Sequence, residues 1–71
     1  PNPANEMVHY SSSNLINKII IYNQLGQVKD EIKVNNNSYT ISVSNFDVGM
    51  YYVKLKFAKS NSILKKLNVY K

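Results

Sequence analysis

The chain has 71 residues, no cysteine and a formal charge of +5. Its length allows one small domain that buries only about 60 % of its unfolded surface, and the lack of cysteine excludes a disulfide or a thiolate zinc site that could reinforce the core. Nine lysines without arginine argue against a nucleic-acid binder, and no apolar run approaches the roughly 20 residues that a membrane-spanning helix requires.

The N-terminal residues predict an extended segment ahead of the first strand. Pro1 and Pro3 fix the backbone φ angle and cannot donate ladder hydrogen bonds, so they separate the first strand from whatever precedes it. A chain that starts with proline rather than methionine indicates a segment of a longer protein. We expect one domain over residues 1–71, with a Pro-rich segment at 1–6 and a β-sandwich at 7–71.

Alternating apolar and polar residues predict two strands in the first third of the chain. In "MVHYSS", Val8 and Tyr10 share one face. "KIIIYN" is apolar on both faces, a pattern that favours a strand near the middle of a sheet. The run "SSSNLIN" between them predicts a polar loop.

A hairpin, a strand and a turn follow. "NQLG" predicts the hairpin, because the Asn23 side chain can bond locally and Gly26 can adopt a positive φ. The strand "QVKDEIKV" directs three apolar side chains to one face: Val28, Ile32 and Val34. Asp30 falls on the same face and should pair with a lysine or lie at an exposed edge. "NNNS" predicts a second turn, and "YTISV" predicts the next strand.

The last third contains a corner and two more strands. In "SNFDVG", Phe46 and Val48 are predicted to pack beneath the corner, while Gly49 supplies backbone freedom. The strand that follows directs four side chains inward: Tyr51, Val53, Leu55 and Phe57. The terminal strand "ILKKLNVYK" aligns two apolar residues on one face: Leu67 and Val69. A register disturbance near residues 63–64 predicts a β-bulge.

Together these elements predict an all-β fold. Six or seven short antiparallel strands at this spacing indicate a β-sandwich, since one open sheet could not cover so many apolar faces. No segment shows the periodicity of a three-turn helix.

The residues that could support catalysis are few and scattered. The four acidic residues lie in separate segments, and His9 with Glu6 lacks the nucleophile elbow and oxyanion loop of a hydrolase. A single histidine without cysteine or clustered carboxylates cannot complete a metal site, and no glycine-rich loop opens a helix to hold a phosphate group. We expect no enzyme activity, no metal and no cofactor.

Four segments, in order, resemble the successive motifs of one family. They are "PNPANEMVHYS", "IIIYNQLGQV", "ISVSNFDVGMYYVKL" and "LKKLNVYK". The chain thus resembles the type A C-terminal sorting domain of the type IX secretion system of Bacteroidetes over nearly its whole length. Phe46 occupies the position at which this family usually has leucine.

This resemblance implies a small immunoglobulin-like β-sandwich that acts as a non-catalytic secretion signal. Such domains follow a cargo domain in the same chain and direct it across the outer membrane, which implies a secreted or cell-surface location. The implied partners are the type IX machinery, namely an outer-membrane shuttle protein and a sortase-like peptidase that often removes such signals.

The resemblance also suggests which residues are recognised. The last two strands and the terminal residue Lys71 are expected to be the chief recognition element. Four lysines are expected to steer the domain toward an acidic receptor: Lys54, Lys56, Lys65 and Lys66. The motif residues are Pro1, Asn2, Pro3, Gly26, Gly49, Tyr51, Lys65, Lys66, Leu67, Val69 and Lys71.

Two alternatives stay open from the sequence. A carbohydrate-binding or adhesion module would bind polysaccharide through Tyr52, Tyr70 and surface asparagines, although tryptophan, the strongest sugar platform, is absent. A structural spacer between domains would need only the β-sandwich. Glycan binding that is lost in Tyr52→Ala would favour the first alternative, and extensive sequence after Lys71 would favour the second.

Overall fold

The structure, a computed structural model, describes residues 7–59 and 61–70, so the predicted Pro-rich segment at 1–6 lies outside the described residues. Four antiparallel strands are present in the described part: β1 (Met7–Asn23), β2 (Val28–Ser42), β3 (Gly49–Phe57) and β4 (Ile63–Val69). Their order in the sheet is β2-β1-β3-β4. The all-β prediction is confirmed, whereas the predicted count of six or seven strands is wrong.

The strand count is lower because predicted strands merge in pairs. β1 contains both "MVHYSS" and "KIIIYN", and β2 contains most of "QVKDEIKV" and of "YTISV". Pairing between β1 and β2 continues past the predicted loop and turn, with register shifts between Ser11 and Ile16 and between Ile16 and Lys18. The predicted loop and the predicted turn are therefore two bulges that lie opposite each other within one long hairpin.

The long hairpin bends at these bulges. A straight strand of 17 residues would extend roughly 56 Å at about 3.3 Å per residue, whereas the longest dimension of the molecule is 34 Å. After the bulge, β1 pairs with β3 from Ile16 to Asn23, while its first residues pair with β2 alone. The open end of the hairpin thus folds over the rest of the sheet and forms the second layer of a small β-sandwich.

Asparagine side chains stabilise the bend. Asn35 has a φ of 51°, in the left-handed region that asparagine tolerates better than most residues. The Asn37 side-chain amide donates hydrogen bonds of 3.3 Å to the backbone carbonyls of Ser12 and Ser13, which ties the β2 bulge to the β1 bulge. The Asn36 side-chain oxygen accepts a 2.7 Å hydrogen bond from the Asn37 backbone amide. The polar run that predicts a turn therefore stabilises a bend.

The core lies between the two layers, and the inward-facing residues change parity at the bend. Before the bulge of β1, the even-numbered Val8 and Tyr10 are buried, and after it the odd-numbered Ile19 and Ile21 are buried. β2 makes the matching change, from the half-buried Ile32 and Val34 to the buried Ile41, and Val43, directly after the strand, is buried as well. The other buried residues are Ile16, Phe46, Tyr51, Val53, Leu55, Phe57, Leu67 and Val69.

β1 is an interior strand of the sheet and pairs with β2 on one side and with β3 on the other, as its apolar residues on both faces predict. Ile19 and Ile21 are fully buried, and Ile20 and Tyr22 are half-buried on the outer face. Asp30 lies exposed on β2, an edge strand, which is the second of its two predicted positions.

Three details of the predicted packing are wrong. Val28 is 59 % exposed, because a register shift places it opposite Tyr22 instead of continuing the inward row. Val48 is 65 % exposed, and Phe46 alone of the two packs beneath the corner. β3 and β4 pair in continuous register along the whole of β4, so the bulge predicted near residues 63–64 is absent.

Candidate recognition surfaces

β4 is an edge strand that the core holds in place. It pairs with β3 along one edge, and no described strand pairs with its other edge. Leu67 and Val69 are buried against the core, whereas Ile63 and Leu64 are exposed at the start of the strand. A strand that is anchored on one face and open along one edge is a suitable template for the addition of a partner strand.

Two adjacent lysines of β4 point to opposite faces of the sheet. Lys65 pairs with the inward-facing Val53, and Lys66 pairs with the outward-facing Tyr52. Three of the four lysines predicted to steer binding therefore share the outer face: Lys54, Lys56 and Lys66. Four motif residues lie outside the described residues: Pro1, Asn2, Pro3 and Lys71.

The motif residues Gly49 and Tyr51 hold the corner that leads into β3. Gly49 has a φ of 154°, which residues with a Cβ atom rarely adopt. The hydroxyl of the buried Tyr51 donates a 2.8 Å hydrogen bond to the Asp47 backbone carbonyl. The Phe46 ring packs against Tyr51 with 5.0 Å between ring centres, and the Lys29 ammonium group lies 5.8 Å from the Phe46 ring centre.

Gly26 lies in the hairpin turn between β1 and β2, as predicted. Its φ of 86° is in the positive region. The side-chain oxygen of Asn23 accepts hydrogen bonds from the backbone amides of Leu25 at 2.9 Å and Gln27 at 3.0 Å. The motif residue Gly26 and the side chain of Asn23 therefore together shape the turn between the two longest strands.

The outer face of the sheet brings together lysines from three strands. The pairing register places Lys33 of β2, Lys18 of β1 and Lys56 of β3 side by side, and we call these three residues the lysine row. Lys18 and Lys33 are missing from the residues proposed on the sequence, because only the register shows that they join Lys56. The sequence indicates only that Lys56 shares its face of β3 with Lys54, through the spacing Lys54-x-Lys56.

Among residues 7–59 and 61–70, one carboxylate contacts the lysine row. Glu31 Oε2 lies 2.7 Å from Lys18 Nζ. The hydrogen bond and charge of Lys18 lower the pKa of Glu31, and the charges of Lys56 and Lys33 lower it further. Both partners are partly exposed, so solvent screens the pair and its contribution to stability is modest.

An apolar groove adjoins the lysine row on the outer face. It has a volume of about 350 Å³ and is lined by Tyr22, Gly26, Tyr52, Lys54 and Leu64. Tyr22 and Tyr52 are direct neighbours across β1 and β3, and both are half-buried. Of the two tyrosines in the carbohydrate-binding alternative, only Tyr52 lines this groove, and Tyr70 is half-exposed beyond the end of β4.

Side chains that could bind a metal ion are scattered across the described part of the chain. Within it, no three histidine, cysteine or acidic side chains lie close enough together to hold a metal ion. The His9 ring nitrogen Nδ1 lies 2.8 Å from the Thr40 hydroxyl at the exposed surface of the second layer. No helix in the described ranges is long and apolar enough to span a membrane.

Comparison with known proteins identifies the family. Residues 1–70 match the family described as the secretion system C-terminal sorting domain. Beta-agarase A of Zobellia galactanivorans is 39 % identical to this chain over 57 residues, which cover 78 % of the chain. The chain spans only 11 % of the length of that relative. No solved structure matches the chain significantly. Because the family match covers almost every residue, the chain belongs to the C-terminal sorting domains of the type IX secretion system.

Proposed function

We propose that this chain is a non-catalytic sorting signal, which directs an upstream cargo domain of the same polypeptide across the outer membrane through the type IX secretion system. The family match over residues 1–70 carries this proposal. The matched relative is far longer than the chain, as expected when the signal is one module of a larger protein. The cargo would then be released or held at the cell surface.

The partners in this proposal are an outer-membrane shuttle protein that recognises the domain and a sortase-like peptidase that removes it. The position of β4 supports recognition by the shuttle protein. Leu67 and Val69 fix this strand to the core, while its open edge and the exposed Ile63 are accessible. A receptor strand added to this edge would extend the sheet without disturbing the core.

The remaining motif residues have supporting roles in this proposal. Gly26, Gly49 and Tyr51 shape the sandwich that presents β4. Pro1 and Pro3 would keep the cargo apart from the first strand, because proline stiffens the chain and cannot pair in a ladder. Lys71 would be part of the terminal segment that the receptor contacts.

Transfer of the chain to a periplasmic reporter, in a host with a type IX system, tests the proposed function. We expect the reporter outside the cell when it carries the intact chain, and in the periplasm when residues 63–71 are deleted. Failure of the intact chain to direct export would contradict the proposed function. Export at the parental level after the deletion would contradict the role of β4.

A surface substitution separates recognition from folding, since the deletion also removes Leu67 and Val69 from the core. Ile63→Ser and Leu15→Ser change aliphatic side chains of nearly equal exposure, 47 % and 44 %. Because the two side chains are about equally buried, both variants should lower the unfolding midpoint by a similar and small amount. We expect Ile63→Ser to reduce export and Leu15→Ser to leave it unchanged, whereas equal export from the two would argue against recognition through β4.

A further inference from the structure

The lysine row works against folding. Lys33, Lys18 and Lys56 are direct cross-strand neighbours, and like charges at such positions destabilise a sheet. In the described part of the chain, the Lys18–Glu31 pair is the ion pair that offsets this repulsion. Two more lysines occupy the same face, Lys54 in the next row and Lys66 in the row after that. The outer face thus carries five lysines and one described carboxylate.

Apolar side chains border these charges at a regular spacing. Ile20 and Leu64 flank Lys54 in the row next to the lysine row, and Tyr22 and Tyr52 lie in the row after that. Side chains on one face of a strand repeat about every 7 Å, so the apolar residues lie roughly 7 to 14 Å from the lysine row. The face therefore combines a cationic strip, the lysine row, with a parallel mixed strip in which these apolar side chains alternate with Lys54 and Lys66.

We propose that this outer face docks a protein partner whose surface carries carboxylates beside aliphatic side chains. The carboxylates would lie over the lysine row and relieve its internal repulsion. The aliphatic groups would occupy the groove and cover Leu64, which is 60 % exposed, together with the accessible parts of Tyr22 and Tyr52. This docking surface goes beyond the proposed function, in which the receptor adds a strand to the edge of β4 and does not contact the outer face of the sheet.

The composition of the groove favours a protein partner over other polyanions. Sugar sites combine exposed aromatic rings with several convergent hydrogen-bonding groups, whereas this groove has two half-buried tyrosines, one lysine and an aliphatic wall at Leu64. Nucleic-acid sites favour arginine, which the chain lacks. Carboxylates beside aliphatic groups match both strips of the surface at once.

Binding of the purified chain to a fluorescent peptide of alternating glutamate and leucine residues tests the docking surface. Lys33→Gln/Lys56→Gln removes two charges from the lysine row and keeps the Lys18–Glu31 pair. The matched control, Lys29→Gln/Lys59→Gln, removes the same charge from exposed positions beside the Phe46 ring and beyond the end of β3. We expect the row variant to bind about tenfold more weakly than the parent, and the control to bind within about twofold of it.

Three results would overturn this proposal. The first is the absence of measurable peptide binding by the parent chain at low salt. The second is an equal loss in the two variants, which would show that net charge alone attracts the peptide. The third is tighter binding, through the same lysines, to phosphatidylglycerol vesicles or to a sulfated polysaccharide than to the peptide. None of these measurements depends on secretion, so they are independent of the export experiment.

Discussion

The hydroxyl of Tyr51 donates a 2.8 Å hydrogen bond to the backbone carbonyl of Asp47, four residues earlier in the chain. This bond joins the start of β3 to the corner by which the chain leaves the second layer. Similar tyrosine-to-backbone bonds occur at strand corners of immunoglobulin-like sandwiches. Tyr51 therefore contributes to the sorting domain by fixing its shape.

Removal of this hydrogen bond should lower stability while keeping the ring in the core. We expect Tyr51→Phe to reduce the free energy of unfolding by about 1 kcal/mol, because the Asp47 carbonyl loses its partly buried donor. Urea unfolding measures the change. Tyr52→Phe, on the outer face, is the control and should leave the urea midpoint close to the parental value. A parental midpoint for Tyr51→Phe would show that the bond makes no net contribution.

Gly49 is expected to be sensitive to any side chain. Apart from Gly49 and its two chain neighbours, no residue has a heavy atom within 4 Å of the position that its Cβ would occupy, so the cost of Gly49→Ala comes from the backbone φ of 154°. We expect a loss of roughly 1–3 kcal/mol in urea unfolding. Gly49→Val, with its branched side chain, should be at least as destabilising and should also reduce reporter export. Parental stability of Gly49→Ala would contradict this explanation.

Neutralising a lysine of the row should stabilise the isolated domain. Lys56→Gln relieves the repulsion with the neighbouring Lys18, and we expect a gain of a few tenths of a kcal/mol, about what one cross-strand charge pair contributes. The gain should shrink at high salt, where the charges of the parent are screened. Lys65→Gln, outside the row, should show no such gain. A loss of stability in Lys56→Gln would mean that the row does not strain the sheet.

Alkaline pH should weaken the fold through Tyr10. Burial raises the pKa of the Tyr10 hydroxyl, so the unfolded chain releases this proton at a lower pH than the folded chain does. Its contribution to stability is complete below the unfolded pKa of about 10, and is lost as the pH rises from there through the folded pKa. The free energy of unfolding, measured between about pH 9 and pH 11, should therefore fall less steeply in Tyr10→Phe than in the parent. Tyr70→Phe, at a half-exposed position, is the control. If the unfolding free energy of Tyr10→Phe fell with pH as steeply as that of the parent, Tyr10 would not be the cause of the alkaline weakening.

The inward face of β3 and the hairpin at Gly26 could both be predicted from sequence. Alternation along a strand depends on the nearest residues alone, so the pattern shows directly that Tyr51 and Val53 point inward. The turn depends on one side chain, Asn23, and one positive φ. Such local features need no knowledge of distant pairing.

Two features could not be predicted from the sequence: the joining of predicted strands into the long β1 and β2, and the lysine row. Both depend on the pairing register between distant segments. A run of serines and asparagines has the same composition whether it forms a turn or a bulge. The continued pairing of Ser11 with Ser38 and of Ile16 with Asn36 identifies a bulge here. Likewise, Lys18 and Lys56 are far apart in the chain, and only the pairing of β1 with β3 makes them neighbours.

The parity change at the bend has a consequence for how the length of this family can vary. Loss of one residue from the β1 bulge would turn Val8 and Tyr10 toward solvent, while Ile41 on the paired strand stays inward. Loss of one residue from both bulges would keep the pairing but turn the apolar face of the whole second layer outward. Relatives should therefore differ in length at this bend by even numbers of residues, because only an even change keeps the apolar side chains of the second layer facing the core.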